Sequence, residues 1–369
     1  MPRRTIGVFV LIAAAMARPA HAADALDWSG FALLRGAAHD DAPRGEDVFV
    51  GDAPLDDDAF AAQLQLGLDW RPSPRFGGHV HLLARNEGDR SHRGRVGVVQ
   101  AYLDQTLERD EHRVRLMEGA FFLPTSRENV DALWESPYTI TSSALNSWLG
   151  EEFRPIGVDA AYTFRRQWTA AVTLFTGNDT FGSLPAVRGW SLRDHWALLG
   201  EHLKVDNEYY TSVSAENDHR LGWSARGRWN NDHATLQITH IDNRSDALDH
   251  GELFDWYTCF DIVGGDYSIG DWTLAAEYGW GITDIEIEGQ GRFRTDLTAA
   301  YVLVSRRLAN GRISLRGDVF TRTDAENDRA ITAAYFWSPR GRLRAGVEGI
   351  VTKHEKRVAL ELRYHFAGL

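Results

Sequence analysis

The chain has 369 residues, a formal net charge of -12 and a single cysteine, Cys259. The acidic balance argues against a nucleic-acid-binding protein, which would carry a basic surface. One cysteine excludes an internal disulfide. No stretch approaches the ~20 continuous apolar residues of a membrane-spanning helix. A chain of this kind can cross a bilayer only with strands, whose signal per segment is much weaker.

The first 22 residues have the features of a secretory signal. Arg3 and Arg4 precede a short apolar run, 7–15, and Ala20-His21-Ala22 presents small residues at the two positions that signal peptidase reads. We therefore expect Sec-type export and cleavage after Ala22, which leaves 23–369 as the mature chain. An uncleaved N-terminal anchor is the alternative.

Alternating polarity then dominates the mature chain. Between Ala62 and Arg71 every second residue is apolar, and successive side chains of a strand point to opposite faces. One such strand could also belong to a soluble sandwich. The number of strands is more informative, because the pattern predicts sixteen, and bacterial single-chain barrels have an even number. The predicted strands are 26–36, 59–71, 76–86, 96–107, 112–123, 153–165, 168–177, 219–229, 233–242, 253–268, 271–280, 294–307, 312–321, 329–338, 342–351 and 357–366.

The connections between these strands alternate in length. Every second one is a tight turn rich in Gly, Asn, Asp or Pro, and the intervening ones are longer and charged, up to the loop 178–218. Short turns on one rim and long loops on the other are typical of an outer-membrane barrel. Aromatic residues gather beside the short turns, as expected of a membrane-interface belt. They are Trp28, Trp70, Phe76, Phe164, Trp168, Trp229, Trp272, Trp337 and Phe366.

Three stretches resemble a known family: 119–124 (GAFFLP), the aromatic-rich stretch 134–152, and the closing strand 358–366. They are similar to the bacterial outer-membrane porin superfamily, in particular its phosphate-selective porin O/P-like branch. The resemblance implies an all-β transmembrane antiparallel barrel of about 16 strands, whose third loop, 124–152, folds inward and narrows the pore. It also implies a homotrimer in contact with outer-membrane lipid and lipopolysaccharide. The lysines of phosphate-selective members are not matched, because this chain has only three.

Charged residues of the 124–152 loop and of the facing wall are the candidate constriction. The alternation of side chains along each strand predicts which residues face the lumen. It places acidic residues there, such as Asp255 and Asp261, beside arginines. A second group of loop residues is expected to anchor the loop to the wall, since buried polar groups need partners. The pore-lining candidates are Glu128, Asp131, Glu135, Arg127, Arg85, Arg113 and Arg115, and the anchoring candidates are Asn146, Trp148, Glu151 and Glu152.

These patterns predict a passive diffusion channel for small hydrophilic solutes or ions, in the outer membrane, with no cofactor, no metal and no catalytic residue. The alternatives are an outer-membrane barrel enzyme of the protease or lipase type and a closed structural or adhesive barrel. Two further interpretations stay open. The stretch 188–203 has the spacing of a short helix, and the cluster 56–58 (DDD) is either a solvated charge group or a Ca²⁺ ligand set.

Overall fold

The computed structural model describes most of the chain from residue 25 onward. The predicted signal 1–22 and the acidic cluster 56–58 lie outside the described residues. Those residues are 25–39, 60–86, 95–187, 189–193, 195–204, 210–248, 254–323, 327–338, 341–353 and 355–367.

Sixteen of the described strands close into one barrel in which every neighbouring pair is antiparallel. All sixteen predicted strands coincide with a barrel strand, so the predicted fold class is confirmed. The ring runs β1 to β7, then β10 to β18, and β8 and β9 form a separate hairpin. The strands are β1 Leu26–His39, β2 Phe60–Ser73, β3 Phe76–Arg85, β4 Val96–Arg109, β5 His112–Ala120, β6 Ile156–Phe164, β7 Trp168–Thr176, β8 His202–Lys204, β9 Tyr210–Ser212, β10 Gly222–Asn230, β11 Ala234–Asp242, β12 Tyr257–Ile269, β13 Trp272–Ile287, β14 Gly291–Leu308, β15 Gly311–Arg322, β16 Asp328–Trp337, β17 Leu343–Thr352 and β18 Lys356–Ala367.

The first and last strands close the ring in a fixed register. Gly30 of β1 lies opposite Phe366 of β18. A Cβ at Gly30 would lie 2.1 Å from the carbonyl oxygen of Gln65 and 2.6 Å from the Phe366 ring. Only glycine therefore lets β1 approach both of its neighbours here. The terminal aromatic residue thus packs at the seam, with its ring centroid 5.8 Å from that of Trp28.

The two faces of the wall differ as the alternation predicts. On β11, Leu236 is 59% exposed on the outside, whereas Gln237, next in sequence, is 6% exposed. The rim aromatics also face outward, and Trp70 contacts Phe76 while Trp168 contacts Trp229. None of the helices in the described part of the chain is long and apolar enough to span a membrane.

Two local predictions are wrong. The predicted strands leave 281–293 as a loop, but β13 continues to Ile287 and β14 begins at Gly291, so this pair extends past the ends of β12 and β15. Their long pairing satisfies backbone groups that a loop would leave to water. The described residues of 188–203 contain no helix, and the helix of this region, α2, is Ser183–Val187. Instead, Trp190 contacts Trp148 and Phe260 of β12, and Trp196 contacts Phe122 and Trp134.

Candidate functional site

Two connections on the long-loop rim supply most of the buried interior. We name the segment 121–155, between β5 and β6, L3, and the segment 177–221, between β7 and β10, L4. L3 contains a short 3₁₀ helix, Ala132–Trp134, and α1, Ala144–Glu151. Ser143 caps α1, because its side chain accepts a hydrogen bond from the backbone N–H of Asn146. Every residue of α1 is buried, so the helix is enclosed on all sides.

L3 reaches across the barrel to the opposite wall. Glu128 forms an ion pair with Arg316 on β15, and β15 is eight strands from β5 in either direction around the ring. Both side chains are fully buried. The nearby backbone N–H of Ile140 donates to a carboxylate oxygen of Glu348 on β17 at 2.7 Å. L3 therefore contacts the point of the wall most distant from its own attachment.

The Glu128 carboxylate is the centre of a buried polar network. It accepts hydrogen bonds from the backbone N–H of Ser143 at 2.9 Å and from the side-chain amide of Asn146 at 3.1 Å. Arg316 also donates to Asp318 at 2.9 Å and to the carbonyl oxygen of Thr141 at 2.7 Å. A charge in this position is tolerated only because several partners replace its hydration. The structure thus places Glu128, a pore-lining candidate, inside the network that docks L3.

The other acidic candidates of L3 have different surroundings. Glu135 forms an ion pair with Arg363 on β18 and is 9% exposed. Asp131 is exposed, and its carboxylate experiences the charges of Arg344, Arg312 and Arg363. An acidic edge of L3 therefore faces an arginine-bearing wall.

The anchoring candidates divide between wall and loop. Asn146 donates to Glu277 of β13 at 2.9 Å. Trp148 packs edge-on against Phe260 of β12, with 4.9 Å between centroids, and stacks on Phe181 of L4 at 4.6 Å. Aromatic pairs at these distances stabilise packing beyond their buried area. Asn146 and Trp148 thus join L3 to the wall, and Trp148 also joins it to L4.

Glu151 and Glu152 bind L4. Glu151 forms a buried ion pair with Arg193. Glu152 accepts hydrogen bonds from the backbone N–H groups of Gly182 at 2.9 Å and Leu184 at 3.0 Å, and from the Ser183 hydroxyl. Burial raises the pKa of Glu152 to about 7, although these hydrogen bonds favour its charged form. L3 and L4 are consequently one packed unit.

Arg85 on β3, a pore-lining candidate, is also covered by L4. Its guanidinium donates to Glu201 at 2.6 Å and to the carbonyl oxygen of Trp196 at 3.2 Å. The side chain is almost fully buried. Arg127 of L3 is mostly buried and lies 3.6 Å from Asp266 of β12. Neither guanidinium stands free in an open channel.

Water-exposed charges of the lumen lie toward the short-turn rim. We call this part of the lumen the vestibule. It contains four exposed or half-exposed arginines, Arg71, Arg113, Arg115 and Arg228. Arg71 donates to Asp104 at 3.0 Å, and Arg115 lies 3.9 Å from the same carboxylate, which is buried. Near the same rim the Asp69 side chain is 39% exposed and that of Asp266 is 25% exposed, so the four arginines outnumber these two carboxylates and leave a net positive charge.

The charged residues that the alternation predicts to face the lumen do so, except on β12 and in the loop before it. On β12, Phe260 and Ile262 face inward and are buried, while Asp261 faces outward beside His240 of β11. The sequence suggests the opposite, because apolar residues are normally on the lipid side of a barrel. In this barrel the upper lumen is filled by L3 and L4, so apolar wall residues pack on them. Asp255, also predicted to face inward, lies in the loop that precedes β12.

Among the interior residues that sequence reasoning missed are Arg363, the partner of Glu135, and two others. Asp266 faces inward on β12 and pairs with Arg127, and the Tyr301 hydroxyl of β14 donates to Glu277 at 2.6 Å. The correct inward face of β12 would have identified Asp266. For Tyr301 the sequence has no signal, since tyrosine is ordinary on either face of a strand.

Sequence comparison gives no relatives: no protein-family model matches, and no curated protein is significantly similar. Solved structures match in fold. The outer membrane channel DcaP of Acinetobacter baumannii aligns with a TM-score of 0.60 at 13% identity, covering 92% of this chain and 97% of that chain. A loop-deletion mutant of OmpT, an outer membrane protein of Vibrio cholerae, gives 0.57 at 9% identity, covering 92% and 99%. A porin mutant of Rh. blastica gives 0.52 at 12%, covering 92% and 100%. At these identities the likeness is one of fold.

Proposed function

We propose that this chain is an outer-membrane porin, a passive channel for small hydrophilic solutes or ions. The observation that supports it best is a closed sixteen-strand barrel with an apolar exterior and water-exposed charges inside one mouth. Barrels of about this strand number enclose an aqueous channel. The solved structures of similar fold include proteins described as an outer membrane channel and as a porin.

The constriction lies between the acidic edge of L3 and the wall formed by β18, β1 and β2. A small cavity of about 20 Å³ is lined there by Glu135 and Thr139 of L3, by Arg363 of β18 and by Gln65 of β2. That volume holds about one water molecule. Asp131 and Glu135 on one side and arginines on the other produce a transverse field, which sorts solutes by charge and dipole. Glu128 supports this edge by docking L3.

The resemblance to phosphate-selective porins bears on the solute. Arginine binds phosphate through paired N–H groups, and the vestibule supplies four guanidinium groups without any lysine. We infer that small anions, phosphate among them, enter from the short-turn side more readily than cations do. Inorganic phosphate should then reduce chloride conductance through the channel in a saturable way.

Assembly as a homotrimer in lipid and lipopolysaccharide is part of this proposal. One solved structure of similar fold is described as a trimer form. On the outer wall of this chain, His240 Nδ1 lies 2.9 Å from Asp261 Oδ1, and the Trp223 ring packs on His240 at 4.8 Å. At about 3.3 Å per residue on a strand tilted by about 40°, His240 lies roughly 15 Å above the short-turn rim, within the apolar band. Carboxylates facing lipid are unfavourable, so this patch suits a contact between protomers.

Liposome swelling tests the channel function. Proteoliposomes of the purified chain in iso-osmotic solutions of sugars should swell at rates that decrease steeply with sugar size, because the constriction is narrow. Empty liposomes are the control. Hydrolysis of lipid or peptide without swelling would favour the enzyme alternative, and neither activity would favour a closed barrel.

A further inference from the structure

Five acidic residues converge at the long-loop rim, outside the constriction. Carboxylate oxygens of Asp179, Glu216 and Asp218 lie within 4.8 Å of one another, and so do those of Asp218, Asp246 and Asp255. Asp218 belongs to both sets and joins them. Asp179 is at the start of L4, Glu216 and Asp218 are near its end, and the remaining two are in the connection between β11 and β12.

Buried oxygens of Asp179 and Glu216 have no hydrogen-bond donor among the residues that the structure describes. Asp179 is 0% exposed and its Oδ1 has no partner, and Glu216 Oε1 is likewise covered and without a partner. The second oxygen of each carboxylate is held by the backbone: the N–H of Asp218 donates to Asp179 at 3.2 Å, and the N–H of Gly177 donates to Glu216 at 2.8 Å. A buried carboxylate oxygen without a partner is destabilising, because nothing compensates for its lost hydration.

An arginine that approaches the cluster, within the described part of the chain, does not satisfy the oxygens of Asp179 and Glu216. Arg220 Nε lies 3.9 Å from Asp218, beyond hydrogen-bond distance, and the arginine side chain is 56% exposed. The cluster is nevertheless held rigidly, because the side-chain amides of Asn178 and Asn243 donate to each other's backbone carbonyls at 2.8 and 3.0 Å. The carboxylates therefore form a preorganised acidic site whose charge is not balanced by Arg220.

We propose that this cluster binds a calcium ion that ties L4 to the β11–β12 loop. Asp179, Glu216 and Asp218 form the ligand set, and Asp246 and Asp255 lie beside it on the other loop, close to the shared residue Asp218. Calcium takes six to eight oxygen ligands at about 2.3–2.6 Å, so two ligands on one ion lie at most about 5 Å apart, as the oxygens of Asp179, Glu216 and Asp218 do. The set contains no histidine or cysteine, which zinc would prefer. A site of this kind on an extracellular surface binds calcium with a Kd of about 10⁻⁴–10⁻³ M.

The site also has a structural consequence for the packed unit of L3 and L4. Trp256 donates its backbone N–H to the carbonyl oxygen of Asp179 at 2.6 Å, and two residues further along L4 Phe181 stacks on Trp148 of L3. A cation at Asp179 therefore stabilises the base of L4 against which L3 packs. Removing calcium should loosen L4 and leave the strand ladder intact.

Calorimetric titration of CaCl₂ into the full-length, chelator-treated protein in lipopolysaccharide-free detergent tests the site. We expect about one bound calcium per chain with a Kd near 1 mM or below, and weaker binding of MgCl₂ and ZnCl₂. The double variant Asp179→Asn with Asp218→Asn should weaken binding by about tenfold or more, because two of the charged ligands become neutral. Asp110→Asn with Glu111→Gln, on the short-turn rim, is the matched control and should bind as the unmodified chain does.

A folding control accompanies the titration. The heat-dependent shift of the barrel in denaturing gels reports whether each variant is folded. If the double variant does not fold, Glu216→Gln replaces it, since the substitution preserves volume and leaves Asp179 in place. Calcium should also protect L4 of the unmodified chain, and not of the variant, from limited proteolysis. Absence of binding up to about 10 mM calcium, or equal affinity in the variant, would overturn the proposal.

Discussion

Replacing Arg316 with methionine should undock L3 from the far wall. The side chain is fully buried, and its loss leaves Glu128 and Asp318 as buried carboxylates without their cation. Removing one partner of a buried ion pair usually costs about 3–5 kcal/mol. The strand ladder does not depend on this contact, so we expect most of the cost to fall on loop docking. The undocked fraction should then rise roughly 100- to 4,000-fold, at about 1.4 kcal/mol per factor of ten.

Cysteine labelling measures that fraction. Ser142 lies in L3 and is 2% exposed, so Ser142→Cys in a Cys259→Ser background reports undocking through its reaction with a water-soluble maleimide. In combination with Arg316→Met, the labelling rate should rise about 100-fold or more. Arg113→Met is the matched control, because Arg113 is an exposed lumenal arginine on the opposite side of the ring from β15. Equal labelling rates with and without Arg316 would refute the inference that this pair docks L3.

Three further variants test the vestibule, the packing of L3 on L4 and the outer polar patch. Arg113→Gln with Arg115→Gln should shift the reversal potential in a salt gradient toward cations, by roughly fivefold in permeability ratio for each of the two charges removed, at ~1 kcal/mol per charge. An unchanged potential would exclude these arginines from the ion path. Trp148→Ala should destabilise L3–L4 packing by about 3–5 kcal/mol, visible as faster proteolysis of L4 while the barrel stays resistant. Asp261→Leu should lower the temperature at which oligomers dissociate in semi-native gels if the outer polar patch contacts another protomer. If the patch faces lipid instead, the same substitution would leave that temperature unchanged or raise it.

The strands and their order could be predicted from the sequence because they depend on local patterns. Alternating segments such as 62–71, separated by tight turns and loops, can be counted, and the count gives the number of strands. In a closed antiparallel ring that number almost determines the topology. The stretch 281–293 was misassigned because charged and glycine residues at a strand end resemble a loop. There the pairing of β13 with β14 outweighs local propensity.

The interior could be predicted only in part. The partner of Glu128 is 188 residues away, and no pattern in one sequence indicates that Arg316 is the residue it meets. The prediction of which β12 residues face the lumen is wrong for a related reason. Phe260 and Ile262 pack on L3 and L4, which are distant in sequence, so the apolar face of this strand segment is turned inward and not toward lipid. The arginines of the vestibule were accessible to sequence reasoning, since Arg113 and Arg115 lie near a tight turn, where the lumen is not covered by loops.

Conductance of the purified full-length protein in a planar lipid bilayer decides whether the barrel is a channel. We expect stepwise increments of low conductance that persist under a constant applied voltage. Their size is set by the constriction beside Glu135, and they should be larger for Arg316→Met. Insertion of folded barrel without any stepwise conductance, in both the unmodified chain and that variant, would contradict a channel function.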